Sequence, residues 1–394
     1  MLMNQVPRDG SFKTATMPRI VGLADVALFV LPMVWLALVG CGREASSGVD
    51  KASSHGQLRP SVSLHVLIVN EPRLVEAMER LRGEWAERFG GELDFSSVNW
   101  AEVATAERLE ADVVVFPSRY VGELCVRGWL RPVRPHVLES EQLDTLDLFP
   151  LVRRRLIRWG DQTMALPLAV DLPLMANPLV QRPLLAFLLA AAPELISNER
   201  VGEFFDLQTM KPRITDPPFV DALSRFVEGA TVSSEQGRGT GSLVPVLGFG
   251  DPLVAVSTSS HNAASAFKLI AWLAQADTST QLARAFTGML PVRRSLVTSP
   301  LWYDPALTAS QRSELGKLLE AALSGERCLF VPRIPGVDEY LAALEQAVKS
   351  ALDENIPPAE ALESAARSWE QITDAHGREA QRAAYLKHLG IDEP

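Results

Sequence analysis

The sequence predicts an α/β fold, because short apolar runs that suit buried strands alternate with stretches whose apolar residues recur at helical spacing. The first run is Ser63-Leu64-His65-Val66-Leu67-Ile68-Val69. Leu74, Met78, Leu81, Trp85 and Phe89 then recur at three- and four-residue steps, which gives a helix one apolar face. Glu92 to Val98 reads as a second strand, and Ala111-Asp112-Val113-Val114-Val115-Phe116-Pro117 as a third. Strands separated by helices imply βαβ units and a parallel sheet covered on both faces. The loop Ser118-Arg119-Tyr120 and a short helix ending at Gly128 follow the third strand. Ligands of open α/β sheets bind beyond the carboxyl ends of the strands, so this loop is a candidate site on topological grounds.

Two later stretches read as crossings between lobes. Thr163 to Asp171 (TMALPLAVD) is an extended apolar run with a carboxylate at its end, and Leu243 to Ser257 (LVPVLGFGDPLVAVS) is a second, broken by Gly248 and Gly250. A helix comes next, with Ser260 or Asn262 as N-cap and Phe267, Ile270 and Leu273 facing inward. Asp338 is placed to cap a helix whose Leu341, Leu344, Val348 and Leu352 form a stripe. Pro357-Pro358 opens another, with Leu362, Ala365, Trp369 and Ile372 buried. There is no internal repeat.

The amino terminus predicts export. Arg8, Lys13 and Arg19 precede an apolar run, Ile20 to Gly40, interrupted by Asp25 and closed by Leu38-Val39-Gly40-Cys41. Basic residues, an apolar core and small residues before a cleavage point make a secretory signal peptide over 1–40. A Cys directly after them resembles the lipobox of bacterial lipoproteins, in which that thiol receives a diacylglycerol. A retained transmembrane helix is the alternative, since the run is long enough to span a bilayer. Asp25, Pro32 and the absence of a basic cluster after Cys41 weigh against it. Met17 is an alternative start. Residues 41–60, polar and rich in Ser and Gly, read as a flexible tether.

Without its presequence the chain has the length of about two domains. Hydrophobic content of 47% and charged content of 22% suit a globular protein with a sizeable core. The net charge of −10 argues against a nucleic-acid partner. With Cys41 lipidated, Cys125 and Cys328 remain; they read as buried free thiols, although export permits a disulfide. The 6 histidines are scattered, without HExxH or paired ligand spacing, so no metal is expected. Neither a GxSxG elbow nor a P-loop is present, and the Gly237–Ser242 run does not lie between a strand and a helix as a dinucleotide loop must. No cofactor and no enzymatic activity are expected; a hydrolase that pairs two carboxylates across a cleft is the alternative.

The order of the pieces resembles a known family. ADVVVFPSRYVGELCVRGWLRPV is similar to a segment of extracellular solute-binding proteins in which strand, ligand loop and short helix end in a Gly-Leu-hydrophobic-Pro pattern. WGDQTMALPLAVDLPLMANP resembles their passage from first lobe to second, and LGFGDPLVAVSTSSHNAASAFKLIAWLAQADTSTQLARAFTGMLPVRRS their return, with its Leu-Pro-x-Arg turn. PRIPGVDEYLAALEQAVKSALDENIPPAEALESAARSWEQI is similar to their C-terminal helix pair. The resemblance is to the carbohydrate-type family that includes maltose-binding protein, over most of residues 61–375. It implies a two-lobed periplasmic-binding-protein fold, type II-like, whose hinge the chain crosses twice. Lobe 1 would hold 61–168 and 257–305, and lobe 2 would hold 172–254 and 306–390. It further implies a monomeric, lipid-anchored, extracytoplasmic receptor that binds a sugar or polyol and delivers it to the membrane permease of an ATP-driven importer. Two departures stand out. Residues 172–254 are markedly fewer than that family has between its crossings, so lobe 2 should be reduced, and Val337 replaces an aromatic common among relatives. A solute-binding-like lipoprotein with a degenerate cleft, acting on a protein partner or as a sensor, is the alternative.

Sugars are held by aromatic faces and by planar polar groups that bond hydroxyls in pairs. On the family pattern the candidate ligand residues are Ser118, Arg119 and Tyr120 after the third strand and Asp171 at the end of the first crossing. Phe249 and Asp251 in the second crossing and Tyr340 on the late helix complete them. Asp171 could instead cap a helix or bond the hinge, Gly248 and Gly250 could serve hinge angles, and Tyr340 could sit in a core. Trp100, Trp129 and Trp159 read as core residues.

Overall fold

The computed structural model describes residues 62–172, 182–197, 202–231, 244–286 and 288–391. The signal peptide, Cys41, the tether and the Gly237–Ser242 run lie outside them.

The first half follows the expected alternation. β1 (Ser63–Val69), α1 (Pro72–Phe89), β2 (Glu92–Val98), α2 (Trp100–Thr105) and β3 (Val113–Pro117) lead into α3 (Val121–Val126), β4 (Leu130–Arg131) and a one-turn α4 (Pro135–Leu138). A hairpin of β5 (Arg158–Trp159) and β6 (Gln162–Thr163) precedes β7 (Leu166–Pro167). α5 (Pro183–Ser197), α6 (Pro217–Thr231) and β8 (Val246–Leu247) come before β9 (Pro252–Ser257). The chain closes with α7 (Ala263–Leu273), α8 (Ala276–Leu282), α9 (Ala309–Ser324), β10 (Leu329–Phe330), α10 (Val337–Asp353), α11 (Pro358–Ala375) and α12 (Arg378–Leu389).

The main sheet has the order β2-β1-β3-β9-β4, with β7 also on β9. β1 lies parallel to β2 and β3, as expected, but β9 runs antiparallel to β3, so the sheet is mixed rather than parallel. The reason is connectivity: β9 returns from the second crossing and enters the sheet from the opposite end. β9 begins at Pro252, opposite Pro117, so strand pairing starts ahead of the expected boundary at 254. Every residue of β3 is buried, as its uninterrupted apolar sequence requires of a central strand. α1 buries Leu74, Met78, Leu81 and Trp85, while Phe89 remains 43% exposed at the helix end, its ring against Trp85.

The second body is helical. α5, α6, α10 and α11 pack together, and the parallel pair β8–β10 is its described strand structure. Phe205, Tyr340, Trp369 and Tyr385 form its aromatic centre. The periodicity reading did not reach several helices, among them α5, α6, α9 and α12. α9 carries a capping box between Thr308 and Gln311, a spacing visible in the sequence. The expected cap at Asp338 is corrected: α10 starts at Val337, and Asp338 lies in its first turn with its carboxylate turned elsewhere. Helix α7 does begin after Asn262.

The Leu-Pro-x-Arg turn has a physical purpose. Arg293, 1% exposed, donates to the carbonyls of Ala274 (3.1 and 2.6 Å), Leu143 (2.6 Å) and Asp144 (3.0 Å), so one guanidinium ends a helix and fixes a distant loop. Cys125 and Cys328 are both free; Cys328 is buried and Cys125 partly so.

Candidate ligand cleft

All the candidate residues but Tyr340 converge where the carboxyl ends of β1 and β3 meet both crossings and the first turn of α10. Asp251 is the hub. Its fully buried carboxylate accepts from Ser118 Oγ (2.7 Å), the Gly248 amide (2.9 Å) and the Asp171 amide (2.9 Å), and its carbonyl accepts from the Ser118 amide (2.8 Å). One side chain therefore joins the loop after β3 to both crossings. Burial, then the charge of Asp171, pushes the Asp251 carboxyl up, while its donors pull it down. Ser118 and Asp251 are both 0% exposed and hydrogen-bonded to each other, which favours a structural role for the pair over ligand contact.

Asp171 keeps a planar carboxylate at the surface of this hub, but it is already occupied. Arg182 meets it in a bidentate pair, Nη1 to Oδ1 at 2.8 Å and Nη2 to Oδ2 at 2.7 Å, and lies over the Phe249 ring at 5.2 Å. Gly250 permits this approach, since a Cβ there would lie 2.4 Å from Asp171 Oδ2. Of the two crossing glycines only Gly248 adopts a positive φ, 87°.

Tyr120 and Arg119 form a second pairing. The Tyr120 ring stacks on Trp100 at 3.7 Å and 7°, and Arg119 covers it at 4.5 Å to the centroid. Both faces of the Tyr120 ring are therefore covered in this structure, where the expectation was a ring face open to a sugar. Arg119 donates from Nη1 to the Phe249 carbonyl (2.8 Å), from Nη2 to Tyr120 Oη (2.9 Å) and from Nε to Asp338 Oδ1 (2.9 Å). Tyr120 Oη accepts a further bond from Asn70 Nδ2 (3.2 Å) and donates to Asp338 Oδ2 (2.7 Å). Burial first, with Asp338 adding to it, raises the phenol above its usual range. Tyr340 lies elsewhere: it is 1% exposed, bonded to Thr373 Oγ1 at 2.9 Å within the helical body, and is a core residue. Trp100, Trp129 and Trp159 are buried, as read.

Asn70, Glu71, Arg182 and Asp338 were missed. Asn70 and Glu71 follow β1, at the same end of the sheet as Ser118–Tyr120, so the rule that singled out one loop should have singled out both. Partial burial, and next the charge of Asp171, raises the Glu71 carboxyl. A groove of about 490 Å³ between α1 and α8, lined by Arg73, Glu76, Arg80, Thr280 and Leu301, includes none of these groups. Among the described residues no cluster of His, Cys, Asp or Glu is arranged to hold a metal, and no helix is long and apolar enough to cross a membrane.

No family model and no curated protein matches the sequence. Solved structures do resemble the folded chain. The sugar-binding protein MalE from the phytopathogen Xanthomonas citri superposes with a TM-score of 0.60 at 14% identity, covering 80% of this chain and 98% of its own. The fold is that of the two-lobed periplasmic solute-binding proteins. A cyclo/maltodextrin-binding protein complexed with maltotetraose gives 0.54 at 15% identity over 79% of this chain and 97% of its own. An ABC transporter solute-binding protein from Agrobacterium radiobacter K84 in complex with ribitol gives 0.53 at 17% over 79% and 98%.

Proposed function

We propose that this chain is the solute-binding component of an ATP-driven importer, taking a small polyhydroxylated solute, a sugar or polyol, between its two bodies. The observation that carries the reading is the fold, which matches sugar- and polyol-binding proteins across about 80% of the chain. Its polar groups also gather at the carboxyl ends of β1 and β3, where ligands of open α/β sheets bind. No bond chemistry is involved: capture and closure would present the loaded form to a membrane permease. Anchoring is by a diacylglycerol on Cys41 on the outer side of the membrane, with a monomeric body on the tether. Cys41→Ser should release the protein from membranes or leave it unprocessed; normal processing and unchanged detergent partitioning would remove the anchor from the proposal.

The direct test is a thermal-shift screen of the full chain against mono- and oligosaccharides and polyols. A ligand at a hundred times its Kd stabilises by about 2.7 kcal/mol, a readily measured shift. No shift with any solute would favour the second reading, a receptor-like lipoprotein that acts on a protein partner. That reading draws support from the self-paired cleft, in which Arg119 holds Asp338 and Arg182 holds Asp171.

A further inference from the structure

The donors around Asp338 are more specific than a general polar cleft requires. The Tyr120 oxygen accepts from both Arg119 Nη2 and Asn70 Nδ2, which uses its lone pairs and turns its proton outward, onto Asp338 Oδ2. Arg119 is fixed by the Phe249 carbonyl, the Tyr120 oxygen and the ring beneath it, which leaves Nε–H to point at Asp338 Oδ1. Two donors on one rigid platform thus converge on the two oxygens of one carboxylate. A sugar hydroxyl suits them poorly: it offers a single oxygen, and it would bring a proton of its own to two groups that are both donating. An acceptor with two oxygens and a negative charge is the complement.

The present occupant is only partly buried. Asp338 lies in the first turn of α10, in the helical body, and its side chain is 47% exposed against 20% for Arg119. It reaches the platform from the first turn of α10 and does not belong to the buried core.

We propose that Arg119 Nε and Tyr120 Oη form a carboxylate subsite, occupied here by the chain's own Asp338, and that the solute is a sugar acid whose carboxylate displaces it. This inference rests on the receptor reading above and narrows its ligand class. Displacement makes Asp338 a built-in competitor: it shields the platform when no solute is present and sets the concentration at which one enters.

The test compares D-glucuronate and D-gluconate with D-glucose and D-glucitol, by calorimetry and thermal shift on the full chain in detergent. The sugar acids should bind and their neutral counterparts should bind at least tenfold more weakly. Asp338→Ala should tighten the acids at least tenfold by removing the competitor, with Asp338→Asn doing the same should the alanine variant fold poorly. Arg119→Gln should abolish the preference for acids. Neutral solutes that bind as tightly as the acids, with no gain in either Asp338 variant, would overturn the carboxylate subsite and leave the receptor reading standing. No binding of any solute to any variant would overturn both.

Discussion

Gly122→Ala offers the sharpest test of how the turn at Arg333 packs on α3. Gly122 sits inside α3, and a Cβ built there would fall 1.7 Å from the Arg333 carbonyl oxygen and 2.5 and 2.7 Å from ring atoms of Trp159. The first is backbone and the others belong to a rigid buried ring, so none can swing aside. Against this stands the helical preference of Ala over Gly, about 1 kcal/mol in its favour. Over-packing a close contact costs about 1–3 kcal/mol and occasionally more; with a backbone atom this near, the upper end applies. The clash wins, and a net loss of about 2 kcal/mol or more is expected. The perturbation also reaches Arg333, whose buried guanidinium donates to the carbonyls of Leu156 (2.7 Å) and Arg158 (3.0 Å) and covers the Phe330 ring at 4.3 Å. Urea unfolding followed by tryptophan fluorescence is the assay, with Gly83→Ala as control. Gly83 lies within α1 with nothing within 4 Å of its Cβ position, so that variant should gain about 0.5–1 kcal/mol. A Gly122→Ala midpoint at or above wild type would mean that the Arg333 turn does not dock on α3.

Arg293→Lys should cost about 3 kcal/mol or more, because an ammonium cannot reach carbonyls on both sides as the buried fork does, and a charge short of partners stays buried; a variant within 1 kcal/mol of wild type in urea unfolding would contradict that. Asp251→Asn relieves repulsion with Asp171 but sets an amide NH₂ against at least one of three converging donors, so a net loss of about 1–3 kcal/mol is expected by the same measurement. Asp206 is held down to about 2 by hydrogen bonds from Thr209, and next by Arg213 and the Gln208 amide. Its folded value lies below the unfolded one, so its contribution is present above pH ~4 and is lost as pH falls through about 2. Exposure limits it to below about 1 kcal/mol. Asp206→Asn should flatten the acid limb of stability between pH 4 and 2, and parallel limbs would refute this.

Much of the fold was legible because it is written in local apolar patterns and in the order of a few segments. β1, α1, β2 and α11 needed only periodicity, and the Leu-Pro-x-Arg turn that carries Arg293 came with the family resemblance. Tyr340 could have been placed from the same patterns: with Val337, Leu341, Leu344 and Val348 it shares one stripe of α10, and that stripe is buried. The cleft was less legible for a different reason. Whether a ring face or a carboxylate is free depends on what a distant residue does. Tyr120 loses one face to Trp100 and the other to its own neighbour Arg119; Asp171 is claimed by Arg182; Asp338 looked like a helix cap and instead spans the cleft. Nothing in spacing or composition carries those pairings.

The contacts that join the two bodies differ widely in what breaking them costs, and the difference bears on whether the cleft can open. The Arg119–Asp338 pair is partly exposed, and such pairs contribute about 0–1 kcal/mol. The Tyr120 bond to the same carboxylate, a hydrogen bond to a charged group, adds about 1.5–3 kcal/mol at most. Arg333 is the opposite case: it is buried, burial and then the neighbouring Arg155 push its guanidinium down to about 9, and separation would strand the carbonyls it serves. Asp251, buried with its partners, resists separation for the same reason. Were the helical body to move away from the sheet, the Asp338 contact would break at far lower cost than the Arg333 contacts. Solute contacts worth a few kcal/mol would offset the first and come nowhere near the others, so the self-paired arrangement does not oppose the proposed receptor reading: it would be latched at Asp338 and fastened at Arg333.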